Sequence, residues 1–255
     1  MISGFSHEFP NLASVSFFYE TQMLMQWDGE EDFPDGHFDS GEVWDGKLYC
    51  ANSNWPQWPM ASSVEVFDTA TMEHITTHSF GINYGSFTWL SWNPMDESWY
   101  GAFANYDRYQ DGAMDSYGKG YNTQIIRMDI NFGFIEFFEI PHEVRETFEI
   151  MSNSGGSWGP DGYLYLAGHD LPQVYVTEKP KIGHILHLVA VVDVPDIAGQ
   201  GIAWDCSHDE PILWGIYRPD KTVIKTRMPT KDEIEAVARP QKVGTVHHDV
   251  ADFST

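Results

Sequence analysis

The chain has 255 residues, which is enough for one large domain or two small ones with a buried core. Aromatic residues make up 15% of it, and this abundance excludes a disordered protein. The formal net charge of −24 repels phosphate groups, so we expect neither nucleic acid nor an anionic membrane surface as a partner.

The sequence contains no apolar run long enough to span a membrane, and its first residues do not resemble a signal peptide. We therefore expect a soluble protein, with the cytoplasm as the default compartment. Its two cysteines, Cys50 and Cys206, favour two buried free thiols over a disulfide framework. One disulfide is the alternative if their strands lie side by side.

Two strands are predicted near the N-terminus, at 12–20 and 22–29, and four similar segments follow them. Each segment has small residues, a short apolar strand with a tryptophan, a polar turn and a second apolar strand. The segments are Ser40–Pro56, Ser86–Asp107, Gly155–Pro172 and Gly199–Asp220. Their marker tryptophans, 45, 69 and 46 residues apart, are Trp44, Trp89, Trp158 and Trp204.

Two more alternating stretches follow each segment, in shortened form after the fourth, so that one unit is four short strands. A four-strand unit that repeats about every 45 residues is typical of a β-propeller blade. The longer second interval contains an inserted loop at 108–122 and a further excursion at 142–150. A short helix is predicted at 230–239, where Thr230 and Glu233 have the spacing of a capping box.

The predicted fold is therefore all-β, a single β-propeller domain over residues 1–255 with four-stranded blades. The four units leave the N-terminal strands and one C-terminal strand, 242–250, to form a fifth blade. Strands from both termini would close the ring and remove its open edges. Five blades are predicted, with six as the alternative.

The loops that enter each blade and those that join its second and third strands open on one face of a propeller. Polar and aromatic residues fall on these loops in all four units, which predicts a binding site there. The substrate-binding candidates are Asn52, Asn54, Trp55, Trp58, Tyr106, Gln200 and Arg218. Exposed tryptophans at such a rim stack on sugar rings or cationic groups, and a loop anchored by its own aromatic residues is the alternative.

Acid–base catalysis is predicted for His169 or His37, with Asp107 as a catalytic carboxylate. Because adjacent strand residues point in opposite directions, we expect His169 to face the mouth and Asp170 to turn outward or to cap the loop that leads to Pro172. Asp170 would then not orient His169, and a carboxylate from another blade would. The alternative is that the pair simply ends a strand.

Side-chain oxygens that arrive from separate blades also suit a divalent cation, with Ca²⁺ the first choice. The blade pattern, with a "PDG" turn at 160–162 before an "LYL" strand at 164–166, resembles the lactonase and gluconolactonase-like propellers. It is also similar to the YncE-like repeat proteins and to bacterial propellers loosely labelled cycloisomerases. The resemblance implies a cation in the central channel, with Glu42, Asn105, Asn153 and Asp205 at the matching positions.

Two functions are left open by these observations. The first is a lactonase- or cycloisomerase-like enzyme that acts on a polar sugar-acid or lactone substrate, with the help of a divalent metal in one version. The second is a binding module that recognises a glycan or a protein segment without turnover. The sequence determines neither the substrate nor the oligomeric state.

Overall fold

A computed structural model describes most of the chain. The described residues are 3–5, 14–19, 22–28, 37–57, 59–107, 119–195, 197, 199, 201–207, 210–217 and 222–237. For the first three of these ranges the structure describes the backbone alone. The predicted closing strand at 242–250, most of the inserted loop at 108–122, Trp58, Gln200 and Arg218 lie outside the described residues.

The described strands form five antiparallel sheets, each built from strands that are consecutive in the sequence. The N-terminal sheet contains β1 (Ser3–Phe5), β2 (Ser14–Tyr19) and β3 (Gln22–Asp28). Blade 1 contains β4 (His37–Trp44), β5 (Lys47–Ser53), β6 (Ser62–Asp68) and β7 (His74–Gly81). Blade 2 contains β8 (Ser86–Asn93), β9 (Ser98–Ala104), β10 (Gln124–Met128) and β11 (Phe134–Glu139).

Blades 3 and 4 complete the series. Blade 3 contains β12 (Gly155–Trp158), β13 (Leu164–Ala167), β14 (Gln173–Glu178) and β15 (His187–Asp193). Blade 4 has three described strands, β16 (Ile202–Asp205), β17 (Ile212–Tyr217) and β18 (Thr222–Thr226). Two helices are α1 (His142–Arg145) and α2 (Lys231–Val237), and 3₁₀ turns lie at Gly120–Asn122 and Glu146–Phe148.

The inner strands show how many blades surround the axis. β4 contacts β8, β8 contacts β12, β12 contacts β16, and β16 contacts β4 again. Ser40 of blade 1 donates a hydrogen bond to the Ile202 carbonyl of blade 4 at 3.2 Å, which joins the first and last members of this ring. The protein is therefore a propeller of four blades, and the predictions of five and of six are both wrong. Within the described residues, the N-terminal strands pair only with one another.

Successive blades stack through three hydrophobic clusters, one for each interface between consecutive blades. Because a blade is covered on both faces, its strands have apolar residues on both sides. In β10, Ile125 packs into the cluster between blades 2 and 3, whereas the next residue, Ile126, packs into the cluster between blades 1 and 2. This explains why the sequence shows short apolar runs as well as strict alternation.

The register of the inner strands corrects two of the marker tryptophans. In blade 1, Val43 pairs with Leu48 and Trp44 with Lys47, so Val43 holds the position that Trp158 holds in blade 3. Trp158 pairs with Leu164 and Trp204 with Leu213, and the residue of blade 2 in this position is Trp92, which pairs with Trp99. Trp89 lies next to a bulge in β8, and its indole occupies the space that a side chain at Gly156 would need. Gly156 thus permits close packing between blades 2 and 3.

The remaining expectations concern the helix, the cysteines and the membrane. At α2, the Thr230 backbone N–H donates to Glu233 at 2.8 Å, and the Glu233 N–H donates back to the Thr230 hydroxyl. Both cysteines are free; Cys50 is buried, but Cys206 is exposed, so the prediction of two buried thiols is half wrong. Among the described residues, no helix is long and apolar enough to cross a membrane.

Candidate functional site

The candidate site lies on the face where the inner strands begin and the second strands end, which we call the rim. Ser53, at the end of β5, and Ser86, at the start of β8, join the rims of blades 1 and 2 through their hydroxyl groups at 2.7 Å. Most of the residues predicted for substrate binding lie at or next to this rim. The structure brings only some of them together.

Trp55 and Tyr106 are one predicted pair that meets. Their rings pack at a tilt of 35° with centroids 4.2 Å apart, and Met60 and Met151 pack around them. Asn54 closes the loop beneath them, because its side chain bonds the Pro59 carbonyl at 2.9 Å and the Ala61 N–H at 2.7 Å. The loop is therefore anchored by its own side chains, which was the alternative to an exposed stacking platform.

A cleft of about 260 Å³ opens beside this pair, between blade 2 and the excursion that leads into blade 3. It is lined by Asp107, Gly120, Tyr121, Arg145, Glu146, Phe148, Glu149, Met151 and Ser152. The backbone N–H of Asp107 donates to the Ile150 carbonyl at 3.2 Å, which fixes the blade 2 loop against the excursion. Of the predicted catalytic residues, Asp107 is the one that lines this cleft.

A tight turn at Phe148–Met151 forms one wall of the cleft. The Met151 N–H donates to the Phe148 carbonyl at 3.0 Å, and Glu149 between them has φ 52° and ψ −123°. These angles are those of the first central position of a type II′ turn, which glycine normally occupies. A glutamate in this conformation costs on the order of 1–3 kcal/mol, and such strain concentrates at functional sites.

His169 and Asp170 lie beyond the same wall. The Phe148 ring packs against the backbone of Gly168, the residue before His169, so closely that a side chain at Gly168 would clash with it. His169 Nδ1 and Asp170 Oδ1 are 2.6 Å apart, and the histidine side chain is 20% exposed. The expectation that Asp170 turns away and does not orient His169 is therefore wrong, because β13 ends at Ala167 and its alternation stops there.

The second candidate histidine has a weaker carboxylate contact. His37 Nε2 lies 3.6 Å from Asp39 Oδ1 at the start of β4. This distance is longer than a hydrogen bond. Asn52, on the neighbouring strand, donates from its amide to the Ser63 hydroxyl at 3.0 Å.

The two asparagines predicted as cation ligands bind protein groups instead. Asn153 is completely buried; its side-chain oxygen accepts from the Trp89 indole at 2.5 Å, and its amide donates to the carbonyls of Gly155 and Ala167. The Asn105 amide donates to the carbonyls of Tyr84 and Asn122 at 3.0 and 3.2 Å. Both side chains connect loops and blades of the fold.

Glu42 and Asp205, the predicted carboxylate ligands, lie near the opposite end of the inner strands. Glu42 accepts hydrogen bonds from the Ser91 hydroxyl at 2.7 Å and the Trp92 N–H at 2.8 Å. Burial raises the pKa of Glu42 to about 7, and these two hydrogen bonds oppose the shift. Asp205 accepts from the backbone N–H and hydroxyl of Ser207 at 2.9 and 2.6 Å.

The four predicted ligands therefore do not form one coordination site. Two amides are bonded to protein groups near the rim, and two carboxylates lie toward the other end of the axis. Within the part of the chain that the structure describes, no group of three or more His, Cys, Asp and Glu side chains could hold a metal ion. These residues do not fit the cation that the sequence resemblance implies.

Sequence reasoning missed the residues of the excursion. Arg145, Phe148 and Glu149 line the cleft, yet the excursion was recognised only as an extra length between two units. Its length was the available signal, because long loops in a compact repeat are usually functional.

No family model matches the chain, and no curated protein matches it in sequence. Its structure is similar to that of a luciferin-regenerating enzyme, with a TM-score of 0.51 and 12% identity over 84% of this chain and 70% of that one. It is also similar to the major allergen Mala s 1 of Malassezia sympodialis, with a TM-score of 0.50 and 11% identity over 88% and 77% of the two chains. These identities support the propeller fold alone and do not single out the lactonase or YncE-like groups.

Proposed function

We propose that this protein is a small-molecule enzyme of the lactonase or cycloisomerase type, which opens or closes a small lactone or ester at the rim. The observation that carries the proposal is the 2.6 Å contact between His169 and Asp170, one residue beyond the wall of the cleft. A carboxylate that accepts a hydrogen bond from Nδ1 keeps the proton on that nitrogen, so that Nε2 carries the lone pair of a general base. One of the similar structures is that of a luciferin-regenerating enzyme, which is compatible with this proposal and indicates no substrate for it.

In the proposed reaction, His169 Nε2 takes a proton from a water molecule as the water oxygen attacks the carbonyl carbon of the substrate. The bond from that carbon to the ring or ester oxygen then breaks. The leaving oxygen takes the proton back from the imidazolium, which yields a carboxylic acid and an alcohol and restores the neutral histidine. The reverse sequence closes a lactone ring and releases water.

Replacement of His169 by alanine tests the proposal on a panel of lactones and esters. We expect kcat/KM to fall by about 10²–10⁴-fold, the usual contribution of a general base. Asp170→Asn should reduce activity as well and change its pH profile, because the amide no longer stabilises the imidazolium. The matched control is His187→Ala, since His187 lies on the outer strand β15 with its ring 3.8 Å from Glu178.

Full activity in a folded His169→Ala variant would overturn the proposal. A variant that no longer folds would instead assign His169 to the structure, and His169→Gln, which keeps a polar side chain, separates the two results. Thermal melts in EDTA and then in Ca²⁺ test the predicted cation. Because the predicted ligands do not converge, we expect the melting temperature to change little in either solution.

The second candidate function is a binding module for a glycan or a protein segment. It is favoured by the aromatic residues of the rim, in particular Tyr121, which lines the cleft and is 62% exposed. A glycan array that detects a binder, with affinity unchanged in His169→Ala and no turnover of the lactone panel, would select this function.

A further inference from the structure

The cleft combines apolar walls with an excess of negative charge. Among the described residues, Asp107, Glu146 and Glu149 line it with three carboxylates, and Arg145 lines it with one guanidinium. The chain as a whole has a net charge of −24, so its long-range field has the same sign as the cleft. An anionic substrate such as a sugar acid would be repelled from this site, whereas a cation would be attracted to it.

The apolar part of the lining suits an organic cation better than a hydrated metal ion. Phe148 lines the cleft but is only 4% exposed, with its ring packed on Gly168 and Tyr175, whereas Tyr121 is 62% exposed and projects at the opening. Met151 completes this surface beside the packed rings of Trp55 and Tyr106. Aromatic faces attract ammonium groups, and thioethers pack against their alkyl substituents.

The strained turn gives Glu149 a specific place in this lining. The sequence has glutamate where a type II′ turn favours glycine, and the Glu149 N–H bonds the Glu146 carbonyl only weakly, at 3.4 Å. The turn is bounded by Phe148, whose ring packs on Gly168 beside the candidate base. Glu149 therefore lines the cleft next to Phe148, whose ring contacts the residue before His169.

We propose that the ligand of this cleft carries a positive charge, as a small ammonium or quaternary ammonium group beside Asp107 and Glu149 and against the aromatic walls. This proposal rests on the proposed function in that it identifies the substrate class of the same site: a lactone or ester with a cationic substituent. It replaces the sugar acid that the sequence suggested.

Choline and 3,3-dimethylbutanol test the charge directly, because they have nearly the same shape. Choline has a positively charged quaternary nitrogen where the neutral alcohol has a carbon atom. Titration of the full chain, followed by NMR, should show choline binding at least about five-fold more tightly. Its affinity should fall as the ionic strength is raised from low to physiological, while that of the alcohol should not change. Equal affinities for the two probes would overturn the proposal.

Three variants locate the charge. Asp107→Asn and Glu149→Gln should each weaken choline binding about five-fold, and Arg145→Gln should strengthen it by a similar factor. The matched control is Glu73→Gln, because Glu73 is exposed at the outer turn of blade 1, away from the cleft. If Asp107→Asn and Glu149→Gln bind choline as the unmodified protein does, the cationic site is elsewhere and the proposal fails.

Ester turnover separates this proposal from the proposed catalysis. Acetylcholine and 3,3-dimethylbutyl acetate are the matched substrates, and a His169→Ala variant should still bind choline with unchanged affinity. Choline binding that depends on Asp107 and Glu149, in a protein with equal lactone and ester activity before and after His169→Ala, would support the cation site and overturn the catalysis. Turnover that depends on His169 and is no faster for the cationic ester would overturn the cation site alone.

Discussion

Polar side chains along the axis and polar side chains in the cleft have different surroundings. Along the axis, three side chains accept hydrogen bonds from backbone N–H groups of tryptophans. The Ser91 hydroxyl accepts from Trp158, the Ser157 hydroxyl from Trp204, and the Glu42 carboxylate from Trp92. Each of these bonds joins one blade to the next. The carboxylate of Asp107 in the cleft belongs to an exposed residue at the end of a loop.

This difference shows which polar residues of a propeller are available for ligands. A side chain between inner strands satisfies the backbone groups of the neighbouring blade, and its removal would leave buried donors or acceptors without partners. The cleft residues Asp107 and Glu149 are exposed, so their removal leaves no buried partner of this kind. We therefore expect substitutions along the axis to change stability without changing ligand binding, and substitutions in the cleft to do the opposite.

The largest effect is expected from Asn153→Ala. The variant loses three hydrogen bonds and leaves the Trp89 indole N–H without its partner in a fully buried position, while the Ala167 carbonyl keeps only the bond from the Ser154 N–H. We expect the free energy of unfolding to fall by about 4 kcal/mol. Denaturant unfolding measures the loss, and Asn131→Ala in the exposed outer turn of blade 2 is the control.

If Asn153→Ala were as stable as its control, the expected difference between axial residues and cleft residues would be contradicted. It would also be contradicted if the folded variant lost affinity for the cleft ligand while retaining its stability, because Asn153 would then serve the site.

Glu42 should make stability depend on pH. Its pKa in the folded protein is raised by burial from 4.5 to about 7, so the folded state holds this proton more tightly than the unfolded state does. The resulting contribution is complete below about pH 4.5 and is lost as the pH rises through about 7, by about 3 kcal/mol in total. Unfolding measured from pH 4.5 to pH 8 should show this decline.

Glu42→Gln should remove that part of the pH dependence. Its side-chain oxygen can accept the same bonds from Ser91 and Trp92 as the protonated acid does, so the variant should be more stable than the unmodified protein at pH 8. An identical pH profile in the two proteins would show that Glu42 is already ionised in the folded state.

Ser91→Ala should have a smaller effect, a loss of about 2 kcal/mol. The variant removes one hydrogen bond to Glu42 and leaves the buried Trp158 N–H without its partner. Ser91→Thr, which retains the hydroxyl, should recover most of the loss in the same unfolding assay. No recovery would mean that the space around Ser91, and not its hydroxyl, determines stability.

The sequence predicted the order of the strands well, because alternation and turn residues are local properties. The two N-terminal strands, the four inner hairpins and the capping box at Thr230 could all be located in advance. The number of blades could not, since it depends on the contact between β16 and β4, which are far apart in the sequence. The mistaken alignment of Trp89 arose because β8 contains a second tryptophan, Trp92, and only the pairing of β8 with β9 shows which of the two matches Trp158.

A better marker of the repeat was present and was missed. A tyrosine follows an aspartate by four residues at Asp96 and Tyr100 and again at Asp161 and Tyr165, and each tyrosine donates to its aspartate at 2.6 Å. Blade 1 has the same spacing at Asp45 and Tyr49. These pairs belong to the inner hairpins and would have aligned the units correctly.

The candidate site was predicted only in part, for a physical reason. Residues at strand ends could be placed on the rim, because the topology fixes where those ends lie. The contact between His169 and Asp170 depends on loop conformation, which alternation does not describe. The excursion at 142–150 carries a turn whose glutamate departs from the usual glycine, so its residues did not indicate a turn in the sequence.

The smallest effect, and the one of opposite sign, is expected from Glu149→Gly. Glycine adopts the observed φ of 52° without steric cost, and the relief should exceed the entropy that the more flexible unfolded chain gains. We expect a gain of about 1 kcal/mol, which is about 3 °C in melting temperature for a chain of this size. Choline binding should weaken in the same variant, because the carboxylate is removed from the cleft wall. Glu149→Gln separates the two contributions, since it removes the charge and keeps the strained backbone. A Glu149→Gly variant that melts lower than the unmodified protein would show that the side chain stabilises the turn, and Glu149 would then belong with the axial residues that serve the fold.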